Sequence, residues 1–234
     1  MELPFRISYT VGADKEIEAW EKARIAQEKQ SRFEKCGIGE RYFSSSFSTF
    51  QTKTQKQQEM KGKGERYAQA IIKGGHGNFI LCGTAGTGKT LLGACIIRAV
   101  QDSENNTQGY KERFNVCNYY HAQYAKITEI INAISAAKSF TSKTSVETRI
   151  REYADYDLLV IDEIGTGGKD ETSVLFDIID RRNSRKKPTM FISNLNWQEL
   201  QNHCGARILS RLKANIMFFD TGGIADQRPT FEKT

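Results

Sequence analysis

The chain has 234 residues, of which 38% are hydrophobic and 26% charged, with a formal net charge of +6. That length holds one α/β domain with a real core plus an appendage. The absence of any run of about eighteen apolar residues excludes a membrane-spanning helix, residues 1–10 lack a signal-peptide core, and the mild positive charge is compatible with a polyanionic partner without proving one.

In chain order, Asp14 to Lys35 alternates charges with sparse apolar residues and predicts an exposed helix. Ile17, Trp20 and Arg24 fall on one face at i, i+3 and i+7. Trp20 therefore sits on a thin apolar stripe, which either docks on a partner or folds back on the chain's own domain. Cys36-Gly37-Ile38-Gly39 supplies a glycine stop. The polar stretch that follows holds Ser44-Ser45-Ser46 and the lysines Lys53, Lys56, Lys61 and Lys63, and is expected as a linker. The organisation so far is an N-terminal helical extension expected to bind a partner (1–40), a linker (41–64) and a main domain (65–234).

From Glu65 to Lys73 the pattern predicts a short helix, and Gly74-Gly75-His76-Gly77 a turn. Strand and helix patterns then alternate. Strands are expected at Phe79–Cys82, Phe114–Tyr120, Leu158–Ile161, Thr189–Ser193 and Ile216–Phe219. Helices are expected at Thr90–Val100, Gln123–Ala137, Val146–Tyr153, Val174–Arg182 and Gly205–Leu212. Short, nearly all-apolar strands between helices imply a parallel sheet flanked by helices on both faces. Five cysteines, Cys36, Cys82, Cys95, Cys117 and Cys204, lie far apart with no C-x-x-C pair. Zinc and a disulfide framework are therefore not expected, and the compartment is reducing, most simply a cytoplasm.

The most informative stretch is Gly83-Thr84-Ala85-Gly86-Thr87-Gly88-Lys89-Thr90, which fits G-x-x-x-x-G-K-[ST] between an apolar strand and a helix. Its glycines let backbone N–H groups approach phosphate oxygens at the positive end of the following helix. Lys89 would reach the β- and γ-phosphates of a nucleoside triphosphate, and the Thr90 hydroxyl would coordinate Mg²⁺. Leu158-Leu159-Val160-Ile161-Asp162-Glu163 delivers two carboxylates at the C-terminal end of a buried strand, where α/β sheets place ligands. Asp162 would hold Mg²⁺ and Glu163 would polarise the attacking water. Asn194, after the Thr189–Ser193 strand, is a turn residue or a group that bonds a water or the γ-phosphate. Arg207 and Arg211 share one face of an amphipathic helix. They are solvated there or reach a neighbouring subunit's γ-phosphate.

Taken in this order, the loop, LLVIDEIG, the ISN strand end and GARILSRL resemble the AAA+ ATPases of the DnaC-type helicase loaders, within a clade that includes replication initiators and IstB-type transposition ATPases. The resemblance covers roughly Cys36 to Arg228. It implies an AAA+ P-loop fold with a short N-terminal helical extension, ATP hydrolysis with Mg²⁺, and ATP-dependent self-association into an arc or spiral. Its partners would be single-stranded DNA and a replicative ring helicase, the latter gripped through the helix of Trp20. Residue by residue, Gly83 to Thr90 match the nucleotide loop, Asp162 and Glu163 the metal and catalytic acids, and Asn194 the first sensor. Arg211 matches the inter-subunit arginine finger, with Arg207 as a second candidate, and Arg228 falls at the second sensor, although Gly222-Gly223-Ile224-Ala225 departs from the family pattern. His121 to Thr148 occupies the place of a helical insertion that holds DNA. Phe140 there stacks bases or belongs to the core, and Lys126, Lys138 and Lys143 are near it. Only about forty residues precede the linker, so against the resemblance the helicase-gripping region is expected to be abbreviated or rebuilt, as would suit a loader of phage or mobile-element origin. The other function the resemblance allows is that of an IstB-like ATPase that binds DNA and regulates a transposase.

Overall fold

The computed structural model describes residues 11–103, 120–139, 143–212 and 216–227, with side chains from residue 16 onward. Strands β1 (Asn78–Cys82), β2 (Ala122–Lys126), β3 (Leu158–Ile164), β4 (Thr189–Ser193) and β5 (Ile216–Asp220) form one sheet. Its order is β2-β3-β4-β1-β5 and every pairing is parallel. All residues of β1 and β4 are buried, as central parallel strands covered on both faces require. The two-residue period of a strand splits β1 between two cores. Phe79 and Leu81 pack with Met60 and Tyr67 of α2 (Gln55–Ile72) and with Leu92 and Ile96 of α3 (Lys89–Asp102). Ile80 and Cys82 face the opposite layer. That layer is made by α4 (Ile127–Ala136), α5 (Val146–Asp155), α6 (Glu171–Ser184) and α7 (Trp197–Leu212). Because β4 lies between β1 and β3, the loops leaving all three strands meet at one edge of the sheet.

One buried cation fixes the start of β4. Arg182 is 0% exposed and donates to Thr189 Oγ1 (2.8 Å), Tyr156 O (2.8 Å) and Pro188 O (2.5 Å). Burial lowers its pKa to about 10, which still leaves it charged at neutral pH. Its hydrogen bonds join the end of α6 to the carbonyls after α5 and to the first residue of β4.

The N-terminal helix α1 (Val11–Glu34) is longer than its expected span and lies half on and half off the domain. Residues 16–28 are exposed, including Ile17 at 55% and Trp20 at 66%. Its last turns dock on α3: Lys29 Nζ donates to Asp102 O (2.9 Å), Arg98 donates to Gln30 Oε1 (2.9 Å), and the fully buried Phe33 lies 3.8 Å beneath the Arg98 guanidinium. Segment 41–64 contains core residues as well as polar ones. Phe50 and Met60 are buried, and α2 runs unbroken across Gly64 and Glu65. A capping box starts α2, with Thr54 Oγ1 accepting from Gln57 N and Gln57 Oε1 accepting from Thr54 N (3.0 Å). Its buried stripe (Met60, Gly64, Tyr67, Ala68 and Ile71) is narrow, so the lysines and glutamines of its outer face dominate the sequence pattern.

Two expected elements differ. The helix expected from Gln123 begins at Ile127, and Ala122–Lys126 is strand β2. Among the described strands it pairs with β3 alone and ends the sheet, and its part-buried Gln123 and Lys126 interrupt the apolar run that marks the central strands. The helix expected at Gly205–Leu212 is the second half of α7, broken at Gly205 (φ 70°, ψ 169°). Most of the strand expected at Phe114–Tyr120 lies outside the described residues.

Candidate functional site

The loops at this sheet edge enclose a cleft of about 400 Å³ whose lining includes Gly86, Lys89, Thr90, Asp162, Glu163 and Asn194. The phosphate-loop signature, the two acids of β3 and the amide after β4 therefore converge, although they are spread over more than a hundred residues of chain. Gly83, Gly86 and Gly88 all have positive φ. At Gly86 (φ +76°) a Cβ would also lie 1.9 Å from Asp226 Oδ1, so any side chain would collide with the C-terminal segment that covers the loop. That segment is tied down by Gln227 N donating to Gly86 O (2.9 Å) and Thr221 N donating to Cys82 O (2.8 Å). Lys89 is 5% exposed, and its ammonium donates to the loop carbonyls of Gly83 (2.7 Å) and Thr84 (2.6 Å).

Asp162 is 4% exposed and fully engaged. Its Oδ2 accepts from Thr90 Oγ1 (2.7 Å) and from the phenol of Tyr124 (2.9 Å), and its Oδ1 accepts from Glu163 N (2.6 Å). Burial, followed by the Asp162 charge, holds the Tyr124 pKa well above the ordinary range for a phenol, so the group stays a neutral donor. The paired oxygens of Thr90 and Asp162 suit Mg²⁺, a hard cation that takes one or two protein oxygens and completes its shell with phosphate and water. Among the described residues there is no group of three or more His, Cys, Asp or Glu side chains that would form an all-protein metal cage.

Glu163 takes φ 59°, rare for a residue with a side chain and worth about 1–3 kcal/mol of strain. The pairing of β3 with β4 shifts register between Ile161 and Ile164, and the kink turns Glu163 out of the sheet. Its carboxylate then pairs with Lys126 Nζ at 2.8 Å, both side chains being part-exposed (38% and 42%). The hydrogen bond to Glu163 raises the Lys126 pKa, so the lysine remains a cation. The loop after Glu163 is held by a fully buried carboxylate. Glu171 accepts from Gly165 N (2.7 Å), Gly167 N (2.5 Å) and His203 Nε2 (2.8 Å). At the end of β4, Ser193 donates to Ile164 O (2.6 Å), which keeps Asn194 beside the acids.

A second hollow of about 280 Å³ shares Gly88, Leu91 and Gln227 with the cleft. Phe50 and Met60 line it together with Thr49 and Gln51, an apolar surface with polar neighbours that could take a nucleobase.

The remaining predicted residues lie elsewhere. Arg211 donates through Nε to Asp180 Oδ1 (2.9 Å), and both Arg211 and Arg207 lie over Phe176, at 5.2 and 4.1 Å. Neither lines the cleft of its own chain. Lys138 is exposed and 3.9 Å from Asp170, and Lys143 is exposed. Trp20 projects from α1, far along the chain from these groups, with the Arg24 guanidinium 6.0 Å from its ring. Phe140 and Arg228 lie outside the described residues. Sequence reasoning missed Arg41, Tyr42 and Gln227 at the cleft and the roles of Tyr124 and Lys126. The alternation Tyr124-x-Lys126, which puts both on one side of a strand, was the available signal for the last two.

Residues 74–213 match the family model described as IstB-like ATP binding protein. Among curated proteins, the replicative helicase loader DnaC of Escherichia coli (strain K12) is 29% identical over 199 residues, covering 83% of this chain and 74% of that protein. The protein of the same name from Buchnera aphidicola subsp. Schizaphis graminum is 25% identical over 225 residues, covering 90% and 85%. A crystal structure of the DnaC helicase loader superposes with a TM-score of 0.60 at 14% identity, covering 78% of this chain and 99% of that one.

Proposed function

The chain belongs to the family of IstB-like ATP binding proteins and has the AAA+ P-loop fold, and from that premise we propose that it is an ATP-dependent loader of a replicative ring helicase onto single-stranded DNA. The observation that carries the ATPase part is the convergence of Lys89, Thr90, Asp162, Glu163 and Asn194 on one cleft. The loader part rests on the names of the curated relatives, two of which are helicase loaders matched over most of their length.

In this reading the phosphates lie along the loop from Gly83 to Thr90, with Lys89 leaving its two carbonyls for phosphate oxygens. Magnesium, held by Thr90 and Asp162, would neutralise charge developing on the transferred phosphoryl group. Tyr124 and the Glu163 N–H keep Asp162 oriented for that task. Glu163 orients the attacking water once it exchanges its Lys126 contact, and Asn194 bonds the water or the terminal phosphate. Arg211, with Arg207 beside it, acts in trans on the nucleotide of the next protomer, so ATP joins chains into an arc or spiral. Lys138, Lys143 and Phe140 would hold the DNA strand by charge and stacking. Arg228 would contact the nucleotide from the C-terminal segment.

Trp20 and Ile17 are the proposed helicase grip. Exposed apolar side chains on a helix that leaves the domain favour a protein partner over the chain's own core. The transposase-regulator reading shares the ATPase parts but gives this helix no such role. The deciding experiment is capture of a purified replicative helicase by the full chain and by Trp20→Ala and Ile17→Ala. Point variants are needed because removing residues 1–40 would also remove Phe33, Cys36 and Ile38 from the core. ATP-dependent capture that the variants lose supports the loader. No helicase capture, together with ATP-dependent filaments on duplex DNA, overturns it in favour of the transposase regulator.

A further inference from the structure

The connection between α1 and the domain passes directly by the nucleotide cleft. A 3-10 turn, Glu40–Tyr42, follows α1 after five residues, and both Arg41 and Tyr42 line the cleft with Lys89, Asp162, Glu163 and Asn194. We propose that Arg41 contacts the terminal phosphate of the bound nucleotide from within the same chain, so that the segment carrying α1 is clamped in the triphosphate state and released in the diphosphate state. The inference rests on the ATP reading of the cleft and adds to it a residue that reads the γ-phosphate and what that residue controls.

Three observations support it. First, the guanidinium of Arg41 lies 4.6 Å over the Tyr42 ring, a stacked arrangement that leaves its N–H edge for an oxyanion. Arg41 is exposed and makes no ion pair with a described carboxylate, whereas Lys126 is held by Glu163 and Lys89 by the loop carbonyls. Second, the position within the cleft selects the phosphate end. Arg41 shares its hollow with Asp162 and Glu163, while the base-sized hollow lined by Phe50 and Met60 lies on the other side of Gly88. Third, the turn is coupled to its surroundings on both sides. Cys36 O accepts from Tyr124 N (2.7 Å), on the strand whose phenol holds Asp162. Gly37 (φ +86°) packs so closely there that a Cβ would be 2.4 Å from Tyr124 O. On the other side Arg98 donates to both Phe43 O (2.5 Å) and Gln30 Oε1 (2.9 Å). Displacement of Arg41 is thus passed to the docked end of α1 and to the strand supporting the metal-binding carboxylate.

The test uses the full chain and its Arg41→Ala and Arg41→Lys variants. Affinities for ADP and for an ATP analogue with a non-hydrolysable β–γ bond are measured with Mg²⁺ at fixed salt. Amide hydrogen exchange of residues 36–43 is followed in both complexes. Arg41→Ala should weaken analogue binding about 10-fold or more while ADP affinity changes less than about 2-fold. Arg41→Lys should recover part of the loss. Analogue-dependent protection of residues 36–43 should appear in the wild type and be missing in Arg41→Ala. Equal weakening of both nucleotides, unchanged affinity for both, or protection that survives the alanine would each overturn the proposal. A wild type that binds neither nucleotide would instead overturn the ATP reading itself, so the two failures are separable.

Discussion

Replacing Tyr124 by Phe removes one oxygen from the centre of the site and nothing else. Tyr124 is 5% exposed, and its phenol is one of three donors to the Asp162 carboxylate. Phenylalanine fills the same volume, so no cavity forms. A hydrogen bond to a charged group contributes about 1.5–3 kcal/mol. Asp162 keeps its bonds from Thr90 Oγ1 and Glu163 N, so the low end applies and the expected loss is about 1.5 kcal/mol. Urea unfolding should register this as a midpoint lower by about 0.5 M if m is near 3 kcal/mol/M. A freed carboxylate also holds its metal less well, and losing an outer partner of a ligand weakens metal affinity about 10–100-fold. The Mg²⁺ concentration for half-maximal ATP hydrolysis should therefore rise about 10-fold, with the ATP requirement at saturating Mg²⁺ little altered. An unfolding free energy within about 0.3 kcal/mol of wild type, with an unshifted Mg²⁺ titration, would refute the idea that this phenol supports the metal site.

The other expectations concern the proposed ATPase cycle. Lys89→Ala should remove measurable ATP binding in a direct binding assay while leaving the fold intact by circular dichroism; wild-type affinity would end the loop assignment. Arg211→Ala should retain nucleotide binding but lower turnover by about 10³-fold and abolish ATP-dependent assembly in light scattering. Normal hydrolysis by this variant at high concentration would place the finger elsewhere, with Arg207 the next residue to change. Phe140→Ala should weaken single-strand affinity by about 1–3 kcal/mol at fixed salt if the ring stacks on bases, and an unaltered isotherm would rule that contact out.

How much of this was legible in the sequence depended on whether the signal lay in consecutive residues. The nucleotide loop and the strand ending in Asp162-Glu163 carry their chemistry in runs of eight and six positions, and central buried strands are nearly all apolar, so the sheet's interior was evident. Strand β2 was not, because Gln123 and Lys126 break its apolar run, and the isoleucines after it extended a helical pattern backward over it. The outward lysines of α2 obscured its core stripe in the same way. Arg41 and Gln227 could not be read at all: they reach the cleft through the path of the chain, from segments more than a hundred residues apart, and neither sits in a recognisable motif. The left-handed backbone of Glu163 was also hidden, since it follows from a mismatch between neighbouring strands that no single segment encodes.

The shape of α1 has a further consequence. Thirteen residues, 16–28, stand clear of the domain, a rod about 20 Å long at 1.5 Å per residue. Peptides of that length hardly hold a helix by themselves in water. If Trp20 is the helicase grip proposed above, the partner must also keep this mast wound, and recognition becomes sensitive to winding as well as to touch. A glycine placed on its outward side, away from every contact, would loosen the grip as surely as trimming the indole.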